Sequence, residues 1–419
     1  ARYRSAGGLC EGTMGRNLFQ FATNSIFPCM RYRLEPTVLE RNLFDESHQV
    51  FRDSVRRFVD EEVVPHHAQW EREGQVSREL WLKAGKTGLL CPMVPEAYGG
   101  AEGDFLFSVI VNEELARVCA TGPAFPLHSD IVAPYIQAYG TEEQKLRWLP
   151  GAVSGEVILA VAMSEPGAGS DLQGMQTRAV RDGDEFVING QKLYISNGQL
   201  ADLVVVACKT DPDAGSKGIS LILVEGDREG FQRGKKLQKV GYHAQDTSEL
   251  FFHDARVPAA NMLGVEGRGL HQLMVQLAQE RLVVAVRCAT NIEAMLDETV
   301  RYVTDRHAFG KPLSAFQNTR FKLAEVRTLA ATTRAFVDQC IAAHLVGELT
   351  SVDAAMVKLH TTEALNKALD ECLQLHGGAG YMWEMPIARA WADARMSRIA
   401  GGSSEIMKEI IGRELFPSA

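Results

Sequence analysis

The sequence predicts an α+β protein in three parts: an N-terminal helical domain, a middle β-barrel or β-sandwich domain, and a C-terminal four-helix-type bundle. Three observations predict it. Apolar residues recur at helical spacing from about residue 44; near residue 156 they change to short apolar and alternating runs; from Gly267 the helical period returns and holds to the end. The boundaries read from these changes are 38–155, 156–265 and 266–419, preceded by a loosely ordered extension over 1–37. At 419 residues the chain is long enough for each part to enclose its own core.

Residues 1–37 set Arg2, Arg4, Arg16, Arg31 and Arg33 against two acids, Glu11 and Glu35. An Arg-rich, acid-poor stretch fits a transit peptide, a cloning remnant or an overextended reading frame with Met14 as the true start; no catalytic part is expected of it. The first helical stripe is Phe44, Val50, Phe51, Val55, Phe58 and Val59, ending near Pro65. Further helices are expected over 77–89, 104–119 and 127–139, with breaks at Pro95, Gly99-Gly100 and Gly122-Pro123, and Thr141 is the N-cap of another. In the middle part, 157–163 reads as a buried strand. Strands over 185–188 and 191–196 flank Asn189-Gly190, a strong hairpin signal, and others follow at 203–207, 219–224 and 248–252. Long amphipathic helices then cover roughly 268–304, 315–345, 351–375 and 402–413.

Composition narrows the function classes. A net charge of -9 argues against nucleic acid as a main partner. No apolar run approaches the length of a membrane span. The eight cysteines are scattered without a C-x-x-C pair, which argues against disulfides and structural zinc and for a reducing compartment.

Candidate chemistry centres on Glu280. Leu270, Leu273, Leu277 and Val284 keep the spacing of one helical face, and Glu280 takes the missing step. A carboxylate there loses hydration, which raises its pKa and suits a proton acceptor. A pairing with Arg281, or a helix turned so that the acid meets solvent, is the plainer reading. Ser164-Glu-Pro-Gly-Ala-Gly-Ser170-Asp171 directly follows the first strand, and its glycines can turn N–H groups toward a polar ring or phosphate, although such a run is often only a turn. No G-x-G-x-x-G lies in a βαβ context and no G-x-x-x-x-G-K-[ST] is present, so neither nucleotide motif is supported. His66-His67 reads as a surface cap in preference to a metal pair. His376 beside two glycines suggests a loop of close backbone approach, Trp383 and Trp391 suggest packing or an interface, and the acids of 141–146 and 293–298 suggest solvated faces.

The loop at 164–171 resembles the first signature of acyl-CoA dehydrogenases, usually written with Thr in place of Ser164. The likeness runs from about 44 to 415 and includes Tyr194-Ile-Ser-Asn-Gly, Arg306-His-Ala-Phe-Gly-Lys-Pro, Phe316-Gln317, Gln374-Leu-His-Gly-Gly378 and Gly401-Gly-Ser-Ser-Glu-Ile406. Within the family it is most similar to the long-chain subgroup, through Gln279-Glu-Arg-Leu, Ala244-Gln-Asp-Thr, Tyr381-Met-Trp-Glu and Gly402-Ser-Ser-Glu-Ile-Met-Lys-Glu.

The resemblance implies FAD between the β domain and the C-terminal bundle, in a homotetramer built as a dimer of dimers. Val161, Ala162, Met163, Ser164, Gly169 and Ser170, with Tyr194, Ile195 and Ser196, would lie along the flavin ring, Ser164 and Ser196 hydrogen-bonding its polar edge. Arg306, Phe309, Gln317, Gln374, Leu375, His376, Gly377 and Gly378 would hold the ADP half, typically of the FAD in a neighbouring subunit. Ser403, Ser404 and Glu405 would complete the dinucleotide contacts. Ser170 would meet the CoA portion, and His271, Arg281, Gly401 and Gly402 would border the substrate.

The implied reaction is α,β-dehydrogenation of acyl-CoA thioesters, of medium to long chain, to trans-2-enoyl-CoA. Many family members carry the base immediately before the Gly-Thr of the last motif, where this chain has Gly401; another set carries it on the helix of Glu280. Glu280 is therefore the expected base for the α-proton, with hydride leaving for flavin N5 and electrons passing on to electron-transfer flavoprotein. Ala400 stands where a Tyr is common, His271 where an aromatic is frequent, Ala278 where Pro is usual, Tyr194 for Phe or Trp and Ser403 for Thr, so the acyl pocket departs from the subgroup pattern. The alternatives are a same-fold acyl-CoA oxidase or flavin monooxygenase, or a silent acyl-CoA-binding assembly protein. A bacterial cytoplasm is favoured, with the mitochondrial matrix as the place of a eukaryotic version.

Overall fold

Asp45 accepts an N–H from His48 while the His48 ring reaches back to the Asp45 N–H, and this reciprocal cap starts α1 (Glu46–Phe58). The computed structural model describes residues 41–416, so the extension read over 1–37 lies outside the described residues. Pro65 does not end the first helix as its position suggests. The chain widens into a π-helical turn at Val59–Val63, which makes room for the pyrrolidine ring, and Pro65 sits in the opening turn of α2 (Val64–Glu73). α3 (Arg78–Lys86) and α4 (Phe105–Arg117) follow. A second π-helical turn at Leu127–Val132 leads into α5 (Ala133–Tyr139), and the Thr141–Gln144 capping box starts α6 (Glu142–Ser154) as expected. Val55, Phe58, Trp70, Trp81 and Phe125 fill the core of this layer.

The middle part is an open half-barrel of seven strands: β1 (Leu159–Ala162), β2 (Arg178–Asp182), β3 (Glu185–Ser196), β4 (Leu203–Lys209), β5 (Ile219–Glu225), β6 (Phe231–Lys236) and β7 (Thr247–Pro258). β4 pairs with β5 on one edge and with β1 and then β2, both parallel, on the other; β2, β3, β7 and β6 continue antiparallel. β4 and β5 are largely apolar and buried almost throughout, because one face packs on α5 and α6 and the other on β3, β6 and β7 across the half-barrel. Asn189-Gly190 is not a hairpin turn. β3 runs straight through it with a register shift, and the turn lies at Gly183-Asp184, where Asp182 pairs with Glu185. Gly190 is required for another reason: its φ is +152°, and a Cβ there would sit 2.6 Å from the Thr177 Cα. β2 and β6 escaped the sequence reading because both are largely exposed and polar.

The C-terminal bundle comprises α7 (Gly269–Asp305), a short hairpin of β8 (His307–Ala308) and β9 (Lys311–Pro312), α8 (Gln317–Leu345), α9 (Ser351–His376), α10 (Pro386–Ala394) and α11 (Ser404–Leu415). α10 went unread because its buried side is mostly alanine. α4 packs against α7 and α8 in a shared core of Phe105, Leu106, Val109, Leu282, Val286 and Val337. Glu293 keeps 41% of its side chain exposed and still does more than face solvent: with Glu113 it pairs with the buried Arg334, at 2.7 and 3.0 Å, and so ties α4, α7 and α8 together. Among the described residues no helix is long and apolar enough to cross a membrane. Gly190→Ala should destabilise the fold by about 2 kcal/mol or more, because backbone at Thr177 must move to admit the methyl group. Denaturant unfolding of the variant beside the parent measures this, and an unchanged midpoint would count against the close approach.

Candidate active site

Glu280 lies in the first third of α7 on the face that turns inward, only 6% exposed. Burial pushes its carboxyl up to about 7, against the opposing pull of a Tyr135 hydrogen bond and the nearby Arg281 charge. The Tyr135 hydroxyl, itself fully buried, donates to Glu280 Oε1 at 2.7 Å. Arg281 is buried beside it; its Nη1 lies 3.4 Å from the Ser351 hydroxyl, its Nε has no partner, and burial lowers its pKa. The solvent-facing reading of Glu280 is thereby excluded.

Local backbone chemistry brings Tyr135 to this point. Pro134 has no N–H to donate to the carbonyl of Asp130, four residues earlier. The Gln279 side chain supplies one, with Nε2 2.6 Å from that oxygen. His344 of α8 lies 3.2 Å from the other end of the same amide. Adjacent residues of α7 thus hold this segment twice, the Gln279 side chain on the Asp130 carbonyl of the π-helical turn and the Glu280 carboxylate on the Tyr135 hydroxyl of α5. The sequence reading missed Tyr135. A Tyr hydroxyl in an apolar helical run needs an acceptor, and that was the available signal. Asp130, in the same π-helical turn, is a second buried acid pushed up to about 7 by burial.

The loop after β1 lies alongside. Leu193 N–H donates to the Ser164 carbonyl at 2.9 Å. The buried Lys192 bonds Glu165 at 2.7 Å and the Met163 carbonyl at 3.1 Å, and Glu165 also accepts the Gln176 and Thr177 N–H groups. A salt bridge thus pins the loop at one end and leaves its glycines free: a methyl group built on Gly167 or Gly169 would meet nothing within 4 Å. Ala168, Leu273 and Tyr135 share one core cluster, so this loop and Glu280 border the same region. Tyr194, at φ +64°, is 67% exposed above the loop, whereas the Ile195 side chain is buried in the sheet and can offer a ligand only its backbone.

The residues expected around an ADP group gather elsewhere. Arg306, Phe309 and Gln317 lie where α7 ends and α8 begins, and the end of α9 meets them through Tyr302, whose hydroxyl donates to the His376 carbonyl at 3.1 Å and whose ring stacks on the imidazole. Gly377 and Gly378 face open space there, and Phe309 is 95% exposed. This cluster sits about 26 residues along α7 from Glu280, roughly 39 Å at the helical rise. One chain does not bring the two groups together. Ser403 caps α11 and Ser404 bonds Glu363 at 2.8 Å, while Glu405 and His271 are exposed. His67 is not a surface cap: its half-buried ring accepts the N–H groups of Thr121 and Gly122, and burial lowers its pKa to about 4.

Sequence profiles of the acyl-CoA dehydrogenase N-terminal, middle and C-terminal domains match residues 45–156, 160–255 and 267–416. The chain belongs to the acyl-CoA dehydrogenase family. It is similar to the long-chain specific acyl-CoA dehydrogenase of Sus scrofa mitochondria, 51% identical over 90% of this chain and 88% of that protein. It is equally similar in sequence to the acyl-CoA dehydrogenase structure from Geobacillus kaustophilus, 51% identical with a TM-score of 0.89 over 90% of this chain and 100% of that one. Butyryl-CoA dehydrogenase from Megasphaera elsdenii aligns at 34% identity and a TM-score of 0.85, over 90% and 100%. As an acyl-CoA dehydrogenase it is a flavoprotein oxidoreductase of fatty-acid oxidation, in a family that depends on FAD.

Because the Glu280 carboxyl sits at about 7 when folded, above its ordinary 4.5, the folded protein holds a proton that the unfolded chain has lost across that window. Stability therefore falls as pH rises from 4.5 to 7. Glu280→Gln removes the fall: the variant should exceed the parent by about 1–3 kcal/mol at pH 8 and by nothing at pH 4 in urea unfolding. Identical midpoints at pH 8 would rule out a raised carboxyl.

Proposed function

We propose that this acyl-CoA dehydrogenase oxidises medium- to long-chain acyl-CoA thioesters to trans-2-enoyl-CoA, with Glu280 as the base that takes the α-proton. One observation carries the assignment: Glu280 is buried, near neutrality in pKa and oriented by Tyr135. Position 401, the other place where the family sets a base, is a glycine. A base titrating near 7 is matched to its task at neutral pH. Tyr135 occupies Oε1 and leaves Oε2 for the proton. As that proton leaves, charge grows on the thioester oxygen, and the Gly401 N–H is the chain's donor for it.

FAD is the hydride acceptor in this reading. The open glycines at 167 and 169 beside exposed Tyr194 fit its ring, with Ser164 and Ser196 on the polar edge and Ser170 toward the CoA. The cluster of Arg306, Phe309, Gln317 and 374–378 fits its ADP half in another copy, since about 39 Å separates it from Glu280 along one helix. That separation supports the homotetramer, a dimer of dimers. The small Ala400 and Ala278 and the outward His271 leave an acyl chain room, which supports medium to long substrates. Electron-transfer flavoprotein is the proposed acceptor. The mitochondrial setting of the pig and mouse relatives supports the matrix over a bacterial cytoplasm.

Anaerobic bleaching of the flavin by a ladder of acyl-CoA lengths tests this reading. Bleaching should be fastest for medium to long chains, reoxidation in air should be slow, and Glu280→Gln should slow bleaching by about 10²–10⁴-fold. Full-speed bleaching in that variant would sink the base assignment, rapid reoxidation would make the protein an oxidase, and a colourless protein would make it a silent relative.

A further inference from the structure

Gly401 and Gly402 form the turn that enters α11, with φ of +67° and +91°. Two successive glycines have the widest conformational freedom a chain can have. Among the described residues, the one hydrogen bond on either glycine comes from Lys358, whose Nζ donates to the Gly402 carbonyl. Lys358 rises from α9 about 10 Å beyond Ser351, the residue that meets Arg281. Its side chain is fully buried. Among the described residues no carboxylate pairs with it. The nearest acids, Glu363 and Glu405, act on it from a distance, and Glu363 is already held by Arg398 and Ser404, each at 2.8 Å. A buried ammonium without an acid partner is costly, and a single tether on a double glycine is what it achieves here.

We propose that Lys358 is a positioning residue: its ammonium fixes the Gly401–Gly402 turn so that the Gly401 N–H stays aimed at the thioester oxygen. This rests on the acyl-CoA reading above. A methyl group built on Gly401 would meet nothing within 4 Å, so the turn is open on the ligand side and steadied from behind by Lys358. The groups around the ammonium are Arg281 and Cys288 on α7, Glu363 on α9 and Glu405 on α11. Burial, with Arg281 adding to it, lowers Lys358 to about 8, so the tether carries its charge at neutral pH and loses it as pH rises past 8.

The test uses the full-length FAD-loaded enzyme and a chromophoric arylenoyl-CoA, whose absorbance shifts to the red when its carbonyl is polarised. Lys358→Met should keep the flavin and bind acyl-CoA with an affinity within a few-fold of the parent. It should lose most of the red shift, and its anaerobic bleaching should slow by about 10²-fold, the scale of a misplaced or missing oxyanion donor. The parent should also lose red shift above pH 8, while the variant stays flat. A parental red shift and bleaching rate in Lys358→Met would overturn the proposal, as would a fall in thermal midpoint with no spectral change. If the Met variant does not fold, Lys358→Gln, which keeps a shorter, neutral donor, is read against pH: its red shift should be weaker than the parent's at pH 7 and should not change across pH 8, and a red shift that titrates as the parent's does would overturn the proposal. Glu280→Gln serves as the separate control: it should retain the red shift and stop the bleaching, so failure of the base and failure of the tether give different results.

Discussion

The double grip of α7 on α5 and the turn before it is the contact on which the rest of the site depends. One half of it is the Gln279 amide, which donates to the Asp130 carbonyl, four residues before a proline that has no N–H to offer it. Once that bond sets the rotation of α7, the next residue must point inward, and Glu280 meets Tyr135. A buried carboxylate left unbonded would cost several kcal/mol, so the tyrosine is what makes this placement of an acid tolerable. Raised pKa and fixed orientation follow from the same contact. The wide π-helical turn before α5 has a local part as well, since it seats Pro134 without breaking the run.

Around this contact the molecule separates rigid supports from open surfaces. The Glu165–Lys192 pair and the N–H groups of Gln176 and Thr177 hold the 164–170 loop from behind, as Lys358 holds the 401–402 turn. Both anchors are buried cations that bond a backbone carbonyl, Met163 in one case and Gly402 in the other, within segments that also carry open glycines, Gly167 and Gly169 in the first and Gly401 in the second. A ligand can then be met by backbone N–H groups that need no reorganisation. The length of α7 adds a larger constraint, because it sets Phe309 and the 374–378 turn far from Glu280. Large apolar side chains stay exposed at that far end, Phe309 and Tyr381 among them, which is where the proposed tetramer would bring a second copy.

Much of this was legible in the sequence. The three-part order, the Thr141 cap, the long C-terminal helices and the inward Glu280 all follow from short-range period and chemistry, which one chain carries on its face. The turn at 164–171 directly after the first strand was legible because strand, glycines and serines are contiguous. Errors came where a local signal has two physical uses. Asn189-Gly190 reads as a turn, yet Gly190 serves a close approach to Thr177 from a strand not yet in view. Pro65 reads as a stop and instead opens a helix. His67 reads as a surface cap, and Glu293 as a solvated acid, until their partners from distant segments are known.

By itself, then, the sequence determined the class of fold and the family, and singled out Glu280 as an acid on an apolar face, because periodicity and contiguous motifs do not require knowledge of what packs against them. Only the tertiary structure decided that Tyr135 holds the acid, that Lys358 bonds the 401–402 turn, and that the residues expected around the ADP group lie at the opposite end of α7 from Glu280. Each of these is a contact or a distance between residues far apart in sequence. Such relations arise from how helices dock, through single hydrogen bonds to buried atoms that leave no repeat or motif behind.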